Sequence, residues 1–140
     1  MLDTSVKPYG HLDSSYKAAG EFKGIKRLVD HFYDAMEQLP EAKAVLAMHP
    51  QDLSLSREKL THFLCGWLGG PKNYAKRYGP ISIPQAHRHL GVNAAERDAW
   101  LLCMEDALKQ QPYKPEFKAY LLEQLAVPAE RIRQAGQVPA

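Results

Sequence analysis

Six histidines and two cysteines are the residues of this 140-residue chain whose chemistry goes beyond packing. His62 and Cys65 stand three positions apart, which puts both on one face of a helix. A structural zinc site needs four ligands, and no second His/Cys pair at similar spacing completes one. His87 and His89 stand two positions apart on a short segment, so only one of them turns inward. No H-E-x-x-H, G-x-S-x-G or G-x-x-x-x-G-K-S/T pattern occurs. One inward imidazole among apolar helices leaves axial ligation of a haem iron as a candidate chemistry, with apolar walls covering the porphyrin faces. On composition and spacing alone, a helical bundle without any cofactor is the favoured reading.

Other polar side chains add to the candidates. Tyr33 falls on an apolar helix face, and a buried phenol needs a hydrogen-bond partner; the plainer reading is a core tyrosine bonded to a backbone carbonyl. Trp100 falls on the apolar face of a later helix. His49 follows Ala47 and Met48 and precedes Pro50, and reads as a partly exposed loop histidine. His31 lies off the apolar face and reads as solvated. Lys59 lies at the edge of one, where its ammonium could meet solvent or a ligand carboxylate.

The elements that must position these residues are helices. In 21–38, Ile25, Leu28, Val29, Phe32, Tyr33 and Met36 follow a 3.6-residue period, and Pro40 closes the segment. A helical turn at 41–48 follows. The next strong helix starts near Ser54 or Ser56, both plausible N-caps. It carries Leu60, Phe63, Leu64, Trp67 and Leu68 at helical spacing and stops at Gly69-Gly70-Pro71. Residues 72–83 read as loop. Ser82-x-x-Gln85 with Pro84 in the first turn predicts a short helix over 84–90, ended by Gly91. Asn93-x-x-Glu96 is a capping-box start for a helix bearing Trp100, Met104, Ala107 and Leu108 on one face. A last helix over 115–125 presents Phe117, Tyr120, Leu121 and Leu125; Pro128 interrupts it, and 129–135 forms a further turn. A short helix over 12–19 precedes all of these. No strand pattern, repeat or low-complexity segment competes, so the fold class is all-α.

The bulk properties exclude several function classes. Hydrophobic residues are 45% and charged residues 24%, an ordinary globular balance. The net charge of +2 is small and no Lys/Arg block stands out, which argues against nucleic acid. No apolar run approaches 18 residues, and the N-terminus has no apolar signal core. Cys65 and Cys103 sit in helical patterns and read as buried thiols of a reducing compartment, hence a cytoplasmic protein.

Four separated motifs, LVDHFYDAM, LTHFLCGWLGGP, AHRHLGV and AERDAWLLCM, occur in that order across about residues 20–125. Together they resemble the group II truncated haemoglobins of bacteria. The resemblance implies a shortened globin fold with helices packed two over two around haem b, and a globin domain over 20–126. An N-terminal extension with a short helix would occupy 1–19 and a C-terminal tail 127–140. It implies that His87, thirteen residues before Trp100, is the proximal iron ligand, and that His89 faces solvent. It places Tyr33, His49 and Trp100 on the distal side as ligand-stabilising donors. Phe32, Ser56 at the gate, Leu60, Phe63, Leu90 and Val92 would line the pocket, and Lys59 and Tyr74 would meet the propionates. The chain departs from the family pattern where Pro84-Gln85-Ala86 replaces a basic segment and His89-Leu90 replaces Pro-Phe.

The implied ligands are oxygen, nitric oxide, carbon monoxide or peroxide. Three functions fit. One is oxygen binding or sensing without turnover, with slow release from three donors in a low-dielectric pocket. Another is enzymatic, converting nitric oxide to nitrate or acting as a weak peroxidase, with a separate reductase as partner. The last is a haem-free helical interaction module that keeps the fold.

Overall fold

The computed structural model describes residues 9–137, and the first eight positions of the expected extension and the last three of the tail lie outside that range. Eight α-helices are described: α1 (Ser14–Ala18), α2 (Glu21–Gln38), α3 (Lys43–Ala47), α4 (Ser54–Trp67), α5 (Asn73–Tyr78), α6 (Ile83–His87), α7 (Ala94–Lys109) and α8 (Pro115–Gln137). Single 3-10 turns at Pro40–Ala42 and Arg88–Leu90 join them, and no strand occurs among the described residues. Helix α2 packs on both α4 and α7, and α7 packs on α8, so two helix pairs lie one over the other. The short α6 leans on α8.

The core sits where α2 crosses its partners. Ile25, Leu28, Phe32, Leu64, Cys103, Met104, Phe117 and Leu121 lose all or nearly all solvent contact there. The apolar face read for α2 is the buried face, and the helix bounds are those expected. The α2 start needs a close approach: a Cβ on Gly24 would stand 2.0 Å from the Ala19 carbonyl oxygen. Tyr113 clamps the same corner, its hydroxyl donating to the Ala19 carbonyl at 2.8 Å. Gly24→Ala should therefore cost roughly 2 kcal/mol, because the overpacking penalty of about 1–3 kcal/mol meets backbone that cannot step aside. That exceeds the helix-propensity gain of about 1 kcal/mol. A chemical-denaturation midpoint unchanged from the parent would refute this.

Several sequence expectations are corrected. Residues 72–83 are not all loop: six of them form α5, too short to display a period, held by Tyr78 and Arg77 to Glu58 of α4. Ser54 and Ser56 do not cap α4; Asp52 instead accepts the Ser54 amide at 2.9 Å. Ser82 makes no side-chain cap, and the segment it opens is α6 followed by a 3-10 turn rather than one helix. Pro128 does not break the last helix, which runs through it to Gln137. The lost backbone bond, worth about 3 kcal/mol in a free helix, is offset by tertiary packing. Ala129 is buried, and Glu130 accepts from Arg97 of α7 at 2.6 Å and from Arg133 and Gln134 of its own helix. The Asn93/Glu96 capping box at the start of α7 is formed in both directions.

Helix α4 shows the most informative departure. Its buried residues are Thr61, His62, Leu64 and Cys65, with Leu68 just beyond the helix, whereas Leu60 and Phe63 are only half-buried and Trp67 is exposed. The apolar arc of α4 is thus wider than the protein core covers. An apolar stripe at i, i+3 and i+7 is left facing elsewhere.

Candidate functional site

The distal candidates meet in one chain of ring contacts. Tyr33 and Phe32, adjacent on α2, are edge-on at 4.9 Å between centroids. Phe32 meets the Trp100 indole of α7 at 4.9 Å, and Tyr33 meets the His49 imidazole at 5.6 Å, both edge-on. Phe32 and Tyr33 form the buried floor, while Trp100 and His49 are half-buried. The Tyr33 hydroxyl and the Trp100 indole N–H have no hydrogen-bond partner among the described residues. The core-tyrosine reading, with the phenol bonded to a backbone carbonyl, is therefore not what is found.

The two histidines are held in the same manner. His49 Nδ1 lies 2.9 Å from the Val45 carbonyl oxygen, and His87 Nδ1 lies 2.8 Å from the Ile83 carbonyl oxygen. With Nδ1–H donating to a carbonyl four residues back, each ring presents Nε2 with its lone pair free. Burial pulls His49 below the usual imidazole range, with the Val45 bond opposing and the nearby His87 imidazole adding to the fall. His49 is accordingly neutral at pH 7. His87 is half-buried, whereas His89, two residues on, is exposed.

A second group lies between α4 and α5. Phe63 meets Tyr74 at 6.1 Å, Tyr74 meets Tyr78 at 4.9 Å, and the Lys59 ammonium stands 5.3 Å over the Tyr78 ring. Lys59 and Tyr74 are thus brought together through Tyr78. Ser56, Leu60, Leu90 and Val92 are all half-buried. Val92 is drawn towards α8, its carbonyl accepting from Gln137 at 3.3 Å. Two surface concavities, one beside Trp67 and Tyr120 and one between α7 and α8, contain no histidine and lie apart from this chemistry.

A residue that sequence reasoning passed over stands beside the distal group. Arg57 of α4 reaches across to α2, where it bonds the Asp30 side chain at 3.1 Å and Asp34 at 2.9 Å. Its guanidinium carbon lies 5.7 Å from the centre of the Tyr33 ring. The signal was present in the sequence, as acids at 30, 34 and 37 share one face of α2. Burial pushes the Tyr33 phenol up to about 12, with Arg57 pulling it partly back. His31, read as solvated, is half-buried and lies 2.7 Å from the Gln111 amide nitrogen. The cysteines are buried and unpaired, their thiols pushed up to about 11 chiefly by burial.

The bacterial-like globin family model matches residues 14–133. The chain belongs to that family. Within it, the group 2 truncated hemoglobin YjbI of Bacillus subtilis (strain 168) is 30% identical over 120 residues, covering 86% of this chain and 88% of the relative. Among solved structures, the group II 2-on-2 hemoglobin of Agrobacterium tumefaciens superposes with a TM-score of 0.81 at 30% identity, covering 95% of this chain and 98% of that one. A truncated oxygen-avid haemoglobin from Bacillus subtilis gives 0.76 at 30% identity, over 84% and 97%. The chain is a group II truncated haemoglobin with the two-over-two globin fold, and membership brings haem-based binding of small gaseous ligands such as oxygen. No helix among the described residues is long and apolar enough to cross a membrane.

Proposed function

We propose that this globin binds haem b through His87 Nε2 and holds oxygen with Tyr33 and Trp100 as donors. His49, neutral and with Nδ1–H committed to the Val45 carbonyl, offers only an accepting Nε2 beside them, which corrects the expectation that it is a third donor. The observation that carries the reading is the 2.8 Å bond between His87 Nδ1 and the Ile83 carbonyl. It fixes the ring and its tautomer and leaves Nε2 as the nitrogen available to a metal, the arrangement that metal-bound histidines need. The half-exposed apolar side chains Leu60, Phe63, Leu90, Val92 and Trp100 supply walls that no protein neighbour fully covers, as a flat apolar group requires. Ser56 offers a small gate, and Lys59 with Tyr74 offers partners for carboxylates at the pocket edge.

Bound haem would supply an iron centre that takes diatomic ligands. The protein's own part is to exclude water and to aim unengaged donors at a ligand that draws negative charge. One phenol and one indole donor, both unengaged, on a buried tyrosine and a half-buried tryptophan, favour retention over release, in line with the oxygen-avid character of the Bacillus subtilis relative. Nitric oxide or peroxide turnover would use the same donors and would need electrons from a separate reductase. The two free buried thiols favour a reducing compartment, the cytoplasm.

The test is the visible spectrum of the purified protein, ferric, reduced and with carbon monoxide. A strong Soret band that shifts on reduction and again with carbon monoxide is expected. Absence of the band after haem is added would sink the proposal and leave a haem-free helical module. Slow oxygen release without nitric oxide consumption would then assign a binding role; rapid consumption with a reductase would assign an enzyme.

A further inference from the structure

We propose that Arg57 is a positioning residue for the distal tyrosine, a clamp that holds the Tyr33 ring in place and keeps its hydroxyl aimed into the pocket. The inference rests on the distal role proposed for Tyr33, and adds a residue outside the pocket that controls it.

The geometry begins in the sequence. Asp30, Asp34 and Glu37 recur at i, i+4 and i+7 along α2, flanking Tyr33, and Arg57 lies in the first turns of α4, next to Ser56. The planar guanidinium divides its donors among them. One nitrogen donates to both the backbone carbonyl and the side chain of Asp30, each at 3.1 Å; the other donates to Asp34 at 2.9 Å and stands 3.6 Å from Glu37. Lys26 completes the network from the other side of Asp30 at 2.8 Å. Only a forked, planar cation reaches this set at once; a lysine ammonium is a single point with no plane. The guanidinium then lies against the Tyr33 ring, where a cation over an aromatic face is attractive and gains strength as water is excluded.

An ordinary exposed ion pair contributes little and would not merit attention. Two features set this one apart. Arg57 is only 26% exposed, and it ties α2 to α4, the helices that carry Tyr33 and the Ser56 gate. A second consequence is electrostatic. The fixed positive charge opposes the effect of burial on the phenol and so makes the hydroxyl a stronger donor. Tyr33 has no acceptor of its own among the described residues, so its direction depends on how the ring is held. The acidic side chains also satisfy the cation away from the pocket, so Arg57 does not compete with Tyr33 for a bound ligand.

The experiment compares Arg57→Met and Arg57→Lys in two backgrounds, the parent protein and Tyr33→Phe, by oxygen dissociation rate and by the infrared stretch of bound carbon monoxide. Arg57→Met should speed oxygen release roughly 3- to 10-fold in the parent and by well under 2-fold in Tyr33→Phe, as expected for coupled neighbours. The carbon monoxide band should rise in frequency with Arg57→Met only where Tyr33 is present. Arg57→Lys should fall between. Asp34→Asn, which loosens the fork without touching the cation, should move both readouts in the same direction and guards against misfolding of the methionine variant. Equal effects in both backgrounds, or none in either, would overturn the clamp. Should Tyr33→Phe alone move nothing, the distal reading fails and the clamp fails with it. A haem-independent arm separates the two. In protein freed of haem and labelled with 13C at tyrosine Cζ, the Tyr33 signal should shift and broaden in Arg57→Met; an unchanged signal would overturn the clamp whatever the haem chemistry.

Discussion

His87→Ala should lose haem at least roughly 100-fold faster than the parent protein, while His89→Ala should retain it like the parent. Removing a partner behind a metal ligand already lowers metal affinity about 10- to 100-fold, so removing the ligand itself should reach at least the upper end of that range. The two histidines make a controlled pair because they are two residues apart on one short segment and carry the same chemistry. They differ in what the fold does with them. His87 is half-buried with Nδ1 held at 2.8 Å by the Ile83 carbonyl, and His89 is exposed at the surface of the 3-10 turn. Haem transfer to an apo-globin acceptor, followed at the Soret band, measures both rates. Equal loss from the two variants would remove His87 from the proximal position. The His87 site also defines a graded control: adding free imidazole to His87→Ala should recover part of the lost Soret intensity, because the cavity left behind accepts the missing ring. A purely structural role for His87 would show no such recovery.

What could be read from the sequence followed the strength of the periodic signal. Helix α2 is 18 residues long with one dominant apolar face, and both its bounds and its buried face agree with the pattern. The capping box of α7 is likewise local chemistry that needs no tertiary context. The failures have physical causes. Helix α5 is shorter than two turns, so it has no period to detect, and its stability comes from Glu58 on another helix. Pro128 reads as a break because a local rule cannot register the packing of α6 and α7 that carries α8 past it. On α4, buried and half-buried apolar residues look alike in sequence; only the structure separates Leu64 from Leu60 and Phe63.

The candidate site was legible only in part for the same reason. Spacing left His87 and His89 both open, and resemblance to the truncated haemoglobins chose between them. Periodicity placed Tyr33 inward but could not tell a core phenol from one left without an acceptor. The structure makes that distinction, since the hydroxyl has no partner among the described residues. Arg57 escaped notice because its partners are contributed by a helix more than twenty residues earlier, and a lone arginine in an amphipathic helix is ordinarily a solvated one.

Tyr33→Phe should speed oxygen dissociation by roughly 10-fold and leave haem retention unchanged. A hydrogen bond to a charged group contributes about 1.5–3 kcal/mol, which corresponds to rate factors from about 10 to above 100. The lower end applies because the Trp100 indole stands in the same cluster and would take over part of the role. Phenylalanine keeps the ring, so its contacts at 4.9 Å with Phe32 and 5.6 Å with His49 survive, and the substitution subtracts the hydroxyl alone. Stability should stay level, because phenylalanine keeps the ring packing and the hydroxyl makes no hydrogen bond to the described residues that would be lost. Stopped-flow displacement of oxygen by carbon monoxide gives the rate, and thermal unfolding gives the stability. A faster release with unchanged or higher stability identifies a side chain kept for its ligand rather than for the fold. If release were unchanged and stability fell, Tyr33 would instead be a core residue whose hydroxyl has found an acceptor, and the donor role would pass to Trp100.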